Sequence, residues 1–367
     1  MEGKKKYYLW GTGKLAKLIN IEYGDVLQKF DIIGYIDNNQ SLWGKNFAGK
    51  KVYRPDILDG ENEAYLVIMN TFQKEIVTQI VSSFSFDINR IEDNFLQKVQ
   101  IIARYQNCDD NEIRKVVSWL FDNPLGVFNY PFVKKYRSID CIVKYDHEKD
   151  MFYSFYDHKK MYLSRKINSY EKAQQYVNWL YMEQDLESPH RYMYAVEEKE
   201  ENLVVLDAGA AEGFFSLALI DRTKRIYVVE PDPDWIEALK ATFENYEEKI
   251  VIIEKGLSSY ENNSLTTVDN VVNEPIDILK MDIEGEEYYA LCGAERTLSQ
   301  SPNLKCYIAT YHQEFAYDAI RNFFEQKKYI IEASKGYMWF PEYKDSMRAP
   351  VLRKGIIRAR KEMKNEK

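Results

Sequence analysis

One strand–turn–helix segment constrains this chain more than any other: Val204-Val205-Leu206-Asp207-Ala208-Gly209-Ala210-Ala211-Glu212-Gly213-Phe214-Phe215-Ser216. An apolar run ending in an acid, followed by two spaced glycines, reads as a buried strand, a sharp turn and a helix start. Gly209 lets the backbone bend and approach a ligand closely, and Gly213 lets the following helix pack near the strand. The acid stands before the glycines, where it would repel a pyrophosphate. The turn therefore suits a cationic group.

Around this turn, apolar segments alternate with helical ones. Strands are expected at Leu203–Leu206, Ile226–Glu230, Ile250–Ile253, Ile276–Met281 and Cys306–Tyr311. Helices are expected after all of these but the third, one of them aligning Leu291, Ala294 and Leu298. Tyr329–Glu332 and Tyr337–Phe340 read as closing strands, with Val351–Arg358 as a further candidate. The alternation predicts an open, doubly wound parallel sheet with an antiparallel edge.

At 367 residues the chain has room for two or three domains. Residues 1–100 read as a first Rossmann-like α/β domain, residues 101–200 as a mixed α+β connector, and residues 201–367 as the domain built on the turn above. In the first, the strand Tyr7–Trp10 leads into Gly11-Thr12-Gly13, a helix follows, and a second strand ends at Asp37. Gly11 and Gly13 can approach a pyrophosphate at a helix N-terminus, with Asp37 on a ribose. The alternative is a degenerate domain kept for assembly. In the connector, Cys141–Tyr145, Met151–Phe155 and Met161–Leu163 resemble short strands, and Tyr170 to Asp185 reads as a helix.

The net charge of −8 argues against a partner held by phosphate attraction, so no nucleic acid is expected. No apolar stretch is long enough to span a bilayer. The four cysteines form no CxxC pair, so their spacing offers no metal or redox motif. A cytoplasmic protein is the expectation, with a homodimer as the candidate assembly.

The chemistry concentrates at strand ends. Glu230 closes the second strand of the C-terminal domain, where an acid accepts hydrogen bonds from ribose hydroxyls, and Asp232 follows it. With Asp207, Gly209, Glu212 and Gly213 these form a candidate site for S-adenosylmethionine, whose amino group is cationic. Asp282 and Glu284 follow the fourth strand; their spacing of two lets both face one side. They can bind substrate hydroxyls, polarise a base or hold a divalent cation, or simply cap the next helix. His312 follows the fifth strand and is the leading candidate base; His190, in Ser188-Pro189-His190-Arg191-Tyr192, is the second. No metal is included in the expected site.

Leu206–Gly213, Val229-Glu230-Pro231-Asp232, Thr267-Val268-Asp269 and above all Lys280-Met281-Asp282-Ile283-Glu284-Gly285 resemble the FkbM family of methyltransferases. The resemblance runs over residues 203–311. It implies a class I fold, S-adenosylmethionine as cofactor with Asp282 near its methyl end, and O-methylation of a hydroxyl on a sugar, nucleotide-sugar or related small molecule. The first domain resembles small Rossmann-like domains that precede some sugar-modifying enzymes, which implies a nucleotide-sugar there. Two rival readings are a nucleotide-binding scaffold without methyl transfer and a nicotinamide-dependent oxidoreductase using the first domain.

Overall fold

The computed structural model describes residues 4–137, 141–193, 200–341 and 350–361. The chain divides into two compact units, residues 1–130 with 341–352, and residues 131–340 with 353–367. Among the described residues no helix is long and apolar enough to cross a membrane.

The first unit is built on β1 (Lys6–Trp10), α1 (Lys14–Leu27), β2 (Asp31–Ile36), β3 (Asn46–Phe47), β4 (Lys50–Tyr53), β5 (Tyr65–Ile68) and α2 (Gln73–Ser83), followed by α3 (Phe95–Tyr105) and α4 (Asn111–Asp122). The sheet order is β3-β4-β2-β1-β5, with β4, β2, β1 and β5 parallel. The chain winds from β1 to β2 and β4, then crosses back to β5, so the order reverses between β1 and β5. Tyr8, Trp10, Ile36, Leu66, Ile76 and Ile80 pack between sheet and helix. The second half of α3 and all of α4, from a stretch read in the sequence as connector, belong to this unit. The α3 face Phe95, Val99 and Ile102 is buried, with Phe95 5.1 Å from the Phe30 ring.

The second unit starts with an antiparallel trio, β6 (Val143–Asp146), β7 (Met151–Tyr156) and β8 (Lys159–Tyr162), and α5 (Tyr170–Glu183), which Ser169 caps. The main sheet follows: β9 (Leu203–Ala208), α6 (Phe214–Leu219), β10 (Thr223–Val229), α7 (Pro233–Thr242), β11 (Ile250–Ile253), the short β12 (Gly256–Leu257) and β13 (Leu265–Thr266), and α8 (Val268–Val271). Then come β14 (Ile278–Met281), α9 (Glu287–Cys292), α10 (Glu295–Gln300), β15 (Lys305–Ala309), α11 (Ala316–Gln326) and β16 (Tyr329–Ala333). The last strands are β17 (Met338–Trp339), β18 (Leu352–Arg353) and β19 (Ile356–Lys361).

Among the described residues this sheet has seven strands in the order β11-β10-β9-β14-β15-β19-β16. All pairs are parallel except those of β19, which runs antiparallel between β15 and β16. This is the doubly wound α/β arrangement expected from the sequence. Every residue of β9 is buried, as a central parallel strand requires.

The details differ from expectation in three places. The helix expected through Leu291, Ala294 and Leu298 is two helices, α9 and α10. Gly293 ends the first; its Cα lies so close to the chain at Ser258 that an added Cβ would stand 2.5 Å from the Ser258 carbonyl oxygen. β17 is only two residues long. The final strand begins at Ile356, later than read, and inserts between β15 and β16, a place in the sheet the sequence did not specify.

Candidate functional site

The order of the main sheet reverses between β9 and β14, and a cavity of about 220 Å³ opens beyond the carboxyl ends of these two strands. It is lined by the turn Gly209–Glu212, by Phe214 and Phe215, by Lys280, Asp282, Glu284 and Tyr311, and from the other side by α5 and the segment that follows it.

The turn after β9 needs its glycines. Gly209 has φ +70°, and a Cβ there would fall 1.7 Å from the Asp282 carbonyl oxygen. The two strand-end loops therefore touch through a position that only glycine can fill. Gly213 has φ +81°, and a Cβ would press within 3 Å of Phe243 and Leu239 on the α7 side. Ala211 (φ 46°) and Glu284 (φ 57°) adopt left-handed conformations without being glycine. Strain of this kind clusters at ligand-binding loops.

Asp207 is fully buried. Its carboxylate accepts from Ser216 Oγ at 2.6 Å and faces Lys280 Nζ at 3.1 Å. Lys280 also donates to the Gly209 carbonyl at 2.5 Å. Asp207 is not among the residues lining the cavity. Glu212 is, and it accepts from Tyr176 Oη of α5 at 2.5 Å. Burial pushes its carboxyl up to about 7. Glu183, at the end of α5, is a second carboxylate on the wall; it accepts from Trp179 Nε1, and burial raises it too.

Glu230 follows β10 and is buried. One oxygen accepts from Ala211 N and the other from Asp232 N, each at 3.0 Å, so Glu230 fastens the turn after β9 to its own strand end. Asp232 caps α7 by accepting from Asp234 N at 3.0 Å and pairs with Lys166 at 2.7 Å.

Asp282 is the centre of the remaining cluster. Tyr311 Oη donates to it at 3.0 Å, and Tyr192 Oη also donates. Two histidines flank it, His190 Nε2 at 3.3 Å and His312 Nε2 at 3.3 Å. Burial alone would raise the Asp282 carboxyl, but the hydrogen bond of His190 and the charges of His312, His190 and Lys280 hold it well below the usual range. Such an acid stays ionised and does not act as a base near neutral pH.

The histidines differ in their second nitrogens. His312 Nδ1 lies 2.9 Å from Oε1 of Glu287, which is almost fully buried and is itself held by the backbone N–H of Ile283. A neutral His312 therefore carries its proton on Nδ1 and presents the Nε2 lone pair toward Asp282 and Glu284. His190 Nδ1 faces the Gln184 amide nitrogen at 3.5 Å, an assignment consistent with Gln184 Oε1 accepting from Tyr192 N. A neutral His190 thus carries its proton on Nε2 and donates toward Asp282. Burial lowers His312, but the Glu287 hydrogen bond and the charges of Asp282, Glu287 and Glu284 outweigh it, so its pKa is raised. Asp282, Glu287 and His312 can also bring one ligand atom each within 4.8 Å of one another, a spacing that a cation can use.

In the first unit, Gly11 has φ +122°, and Asp37 accepts from Thr12 N at 3.0 Å, Thr12 Oγ1 at 2.6 Å and Asn39 N at 2.8 Å. Gly13 precedes α1 with a negative φ. These three residues thus gather at the carboxyl edge of the first sheet, and Asp37 serves the turn itself.

Sequence reasoning left six residues around the site without a role: Tyr176, Glu183, Tyr192, Lys280, Glu287 and Tyr311. Lys280 carried a signal, a lone cation inside an apolar strand. Such a residue needs a buried anion. Tyr192 and Glu287 carried none, because only the fold brings them to Asp282 and His312.

Comparison with known proteins bears on this geometry. Residues 244–331 match the model of the methyltransferase FkbM domain. The family resemblance is borne out. The FkbM match covers Asp282, Glu284, Glu287 and His312 but begins after Asp207 and Glu230. Residues 3–92 match the C2185-like N-terminal family. No curated protein matches the chain. Among solved structures, the methyltransferase FkbM from Methylobacillus flagellatus KT is 15% identical, with a TM-score of 0.40, over 97% of this chain and 90% of that one. The precorrin-6y C5,15-methyltransferase from Geobacter metallireducens GS-15 is 14% identical, with a TM-score of 0.32, over 44% of this chain and 82% of that one. A Streptococcus mutans protein solved in complex with SAH is 14% identical, with a TM-score of 0.32, over 44% of this chain and 90% of that one.

Proposed function

We propose that this chain is an S-adenosylmethionine-dependent O-methyltransferase acting on a hydroxyl of a sugar or related small molecule. The observation that carries this reading is the meeting of two loops at the switch point of the main sheet. The glycine turn after β9 and the FkbM segment after β14 touch at Gly209 and Asp282, beside a cavity walled by carboxylates.

The residues suit the cofactor. Its amino group and sulfonium are cationic, and the buried Glu212 and half-buried Glu183 are carboxylates facing the cavity with few competing cations. With Asp207 committed to Lys280, the contact expected there for the amino group passes to these two acids. Glu230 does not itself line the cavity, but it is bonded to Ala211, which does, and it accepts one backbone hydrogen bond per oxygen, which leaves lone pairs for ribose hydroxyls. S-adenosylmethionine supplies an electrophilic methyl group with a good leaving group. The chain's part is alignment and proton removal.

Asp282, kept ionised, anchors and orients the acceptor hydroxyl. His312 takes the hydroxyl proton at Nε2 while Glu287 holds Nδ1–H and stabilises the imidazolium. Such a base contributes roughly 10²–10⁴-fold. His190, Tyr192 and Tyr311 hold Asp282 in place.

The test is methyl transfer from deuterium-labelled S-adenosylmethionine to small molecules of a cell extract, read by mass spectrometry. Label in hydroxyl-bearing products supports the proposal. Label confined to amines would remove the O-methyl assignment, label confined to carboxylates would remove the hydroxyl acceptor, and the absence of label in any small molecule would remove the transfer.

A further inference from the structure

The first unit has a cavity of its own, about 290 Å³, whose lining includes Gly11, Asp37, Asn38, Phe72, Glu75 and Gln79. It lies beyond the carboxyl ends of β1, β2 and β5, where the order of the first sheet reverses. Ligands of open α/β sheets bind at this place.

The lining defines the chemistry. Gly11 (φ +122°) keeps the floor open, since a Cβ would stand 2.9 Å from the Met69 carbonyl oxygen. Asn38 and Gln79 exchange two hydrogen bonds, Asn38 Nδ2 to Gln79 Oε1 at 2.9 Å and Gln79 Nε2 to Asn38 Oδ1 at 3.0 Å. Each amide keeps one N–H and one lone pair for a ligand. Phe72 is 64% exposed, a flat apolar surface at the rim with no core to fill. Asp37 and Glu75 are the charged lining residues; no Lys, Arg or His is among the described residues that line the cavity. A pyrophosphate placed here would meet carboxylates with no cationic side chain to offset them.

We propose that this cavity binds an uncharged, hydroxyl-rich ligand with one apolar face, a saccharide or a nucleoside, and discriminates against its phosphorylated form. Asn38 and Gln79 pair with hydroxyls, and Phe72 stacks on the apolar face of a sugar ring or on a base. This narrows the nucleotide-sugar expected from the sequence to the part of such a molecule that carries no phosphate. Its lining shares no residue with the cavity proposed for methyl transfer.

Saturation-transfer NMR on the full chain tests it, with methyl glycosides of common hexoses, with adenosine and uridine, and with glucose 1-phosphate and uridine monophosphate. Transfer from a glycoside that falls in the Phe72 and Gln79 variants identifies a saccharide site here, and the same fall for a nucleoside identifies a nucleoside site; transfer that these variants leave unchanged belongs to the cavity of the second unit. The phosphorylated counterpart is expected to bind more weakly. Phe72→Ala with Gln79→Ala should weaken binding on the order of tenfold or more, the loss of one hydrogen bond and one stacking face. Phe72 is exposed, so Phe72→Ala alone provides a folded variant if the double one is unstable. The proposal is overturned by no transfer from any neutral ligand, by tighter binding of the phosphorylated forms, or by undiminished transfer in the folded variants.

Discussion

Lys280 and Asp207 stand directly opposite each other on the parallel strands β14 and β9, both buried, with Nζ 3.1 Å from Oδ1. The register of the sheet thus pairs the signature segment after β14 with the acid before the glycine turn. Removing one partner leaves an uncompensated charge in the core. Lys280→Met should cost about 3–5 kcal/mol in urea unfolding. The double variant Asp207→Asn with Lys280→Met should recover much of that loss. If the single change is nearly neutral, the pair does not organise the site.

Glu212 should make cofactor binding depend on pH. Its carboxyl is pushed up to about 7 by burial, above the value of an exposed glutamate. A raised carboxyl favours the folded state when protonated, so its contribution is present at low pH and is lost as pH rises toward 7. The expected loss is up to about 3 kcal/mol. A bound cation favours the ionised form. S-adenosylmethionine should therefore bind more tightly from pH 6 to 8, with proton release visible in calorimetry across buffers of different ionisation enthalpy. Glu212→Gln should flatten both the pH dependence of affinity and the stability slope. A wild-type affinity that is level with pH would take Glu212 away from the cofactor.

His312→Ala should lower turnover by roughly 10²–10⁴ and barely change cofactor affinity. The pKa of His312 is raised, and a base works when neutral, so wild-type turnover should rise with pH to a midpoint above the ordinary histidine value. Glu287→Gln removes the carboxylate that raises it, and the midpoint should move down. Full activity of His312→Ala would pass the role to another group. An unmoved midpoint in Glu287→Gln would remove the orienting role of that residue.

Activity should survive EDTA. The spacing of Asp282, Glu287 and His312 allows a cation, yet Asp282 already receives hydrogen bonds from Tyr192 and Tyr311, and Glu287 receives one from His312. Dialysis against EDTA followed by a turnover assay decides this. Loss of activity restored by a divalent ion would replace the base account with a metal-assisted one.

Much of the second unit was legible because its parallel strands are short, apolar and separated by helical periodicity. The turn at Gly209 and Gly213 was legible because left-handed backbone next to a close neighbour leaves few residue choices. The break at Gly293 was not, since the apolar spacing of Leu291, Ala294 and Leu298 fits a continuous helix, and only the nearby Ser258 backbone shows why it ends. The place of β19 was hidden for a similar reason: strand order is set by partners far along the chain. In the site, Asp282 and His312 announced themselves by residue type at strand ends. Their controllers, Glu287 and Tyr192, look like ordinary surface residues in sequence and gain meaning only from burial.

Glu230→Ala gives the most direct test of the account. Isothermal titration of the full chain with S-adenosylmethionine should show one binding site. Glu230→Ala should weaken it by about 1.5–3 kcal/mol, the worth of hydrogen bonds to a charged acceptor. Absence of binding by the wild-type chain, or unchanged affinity in the folded variant, would contradict a cofactor seated across β9 and β10.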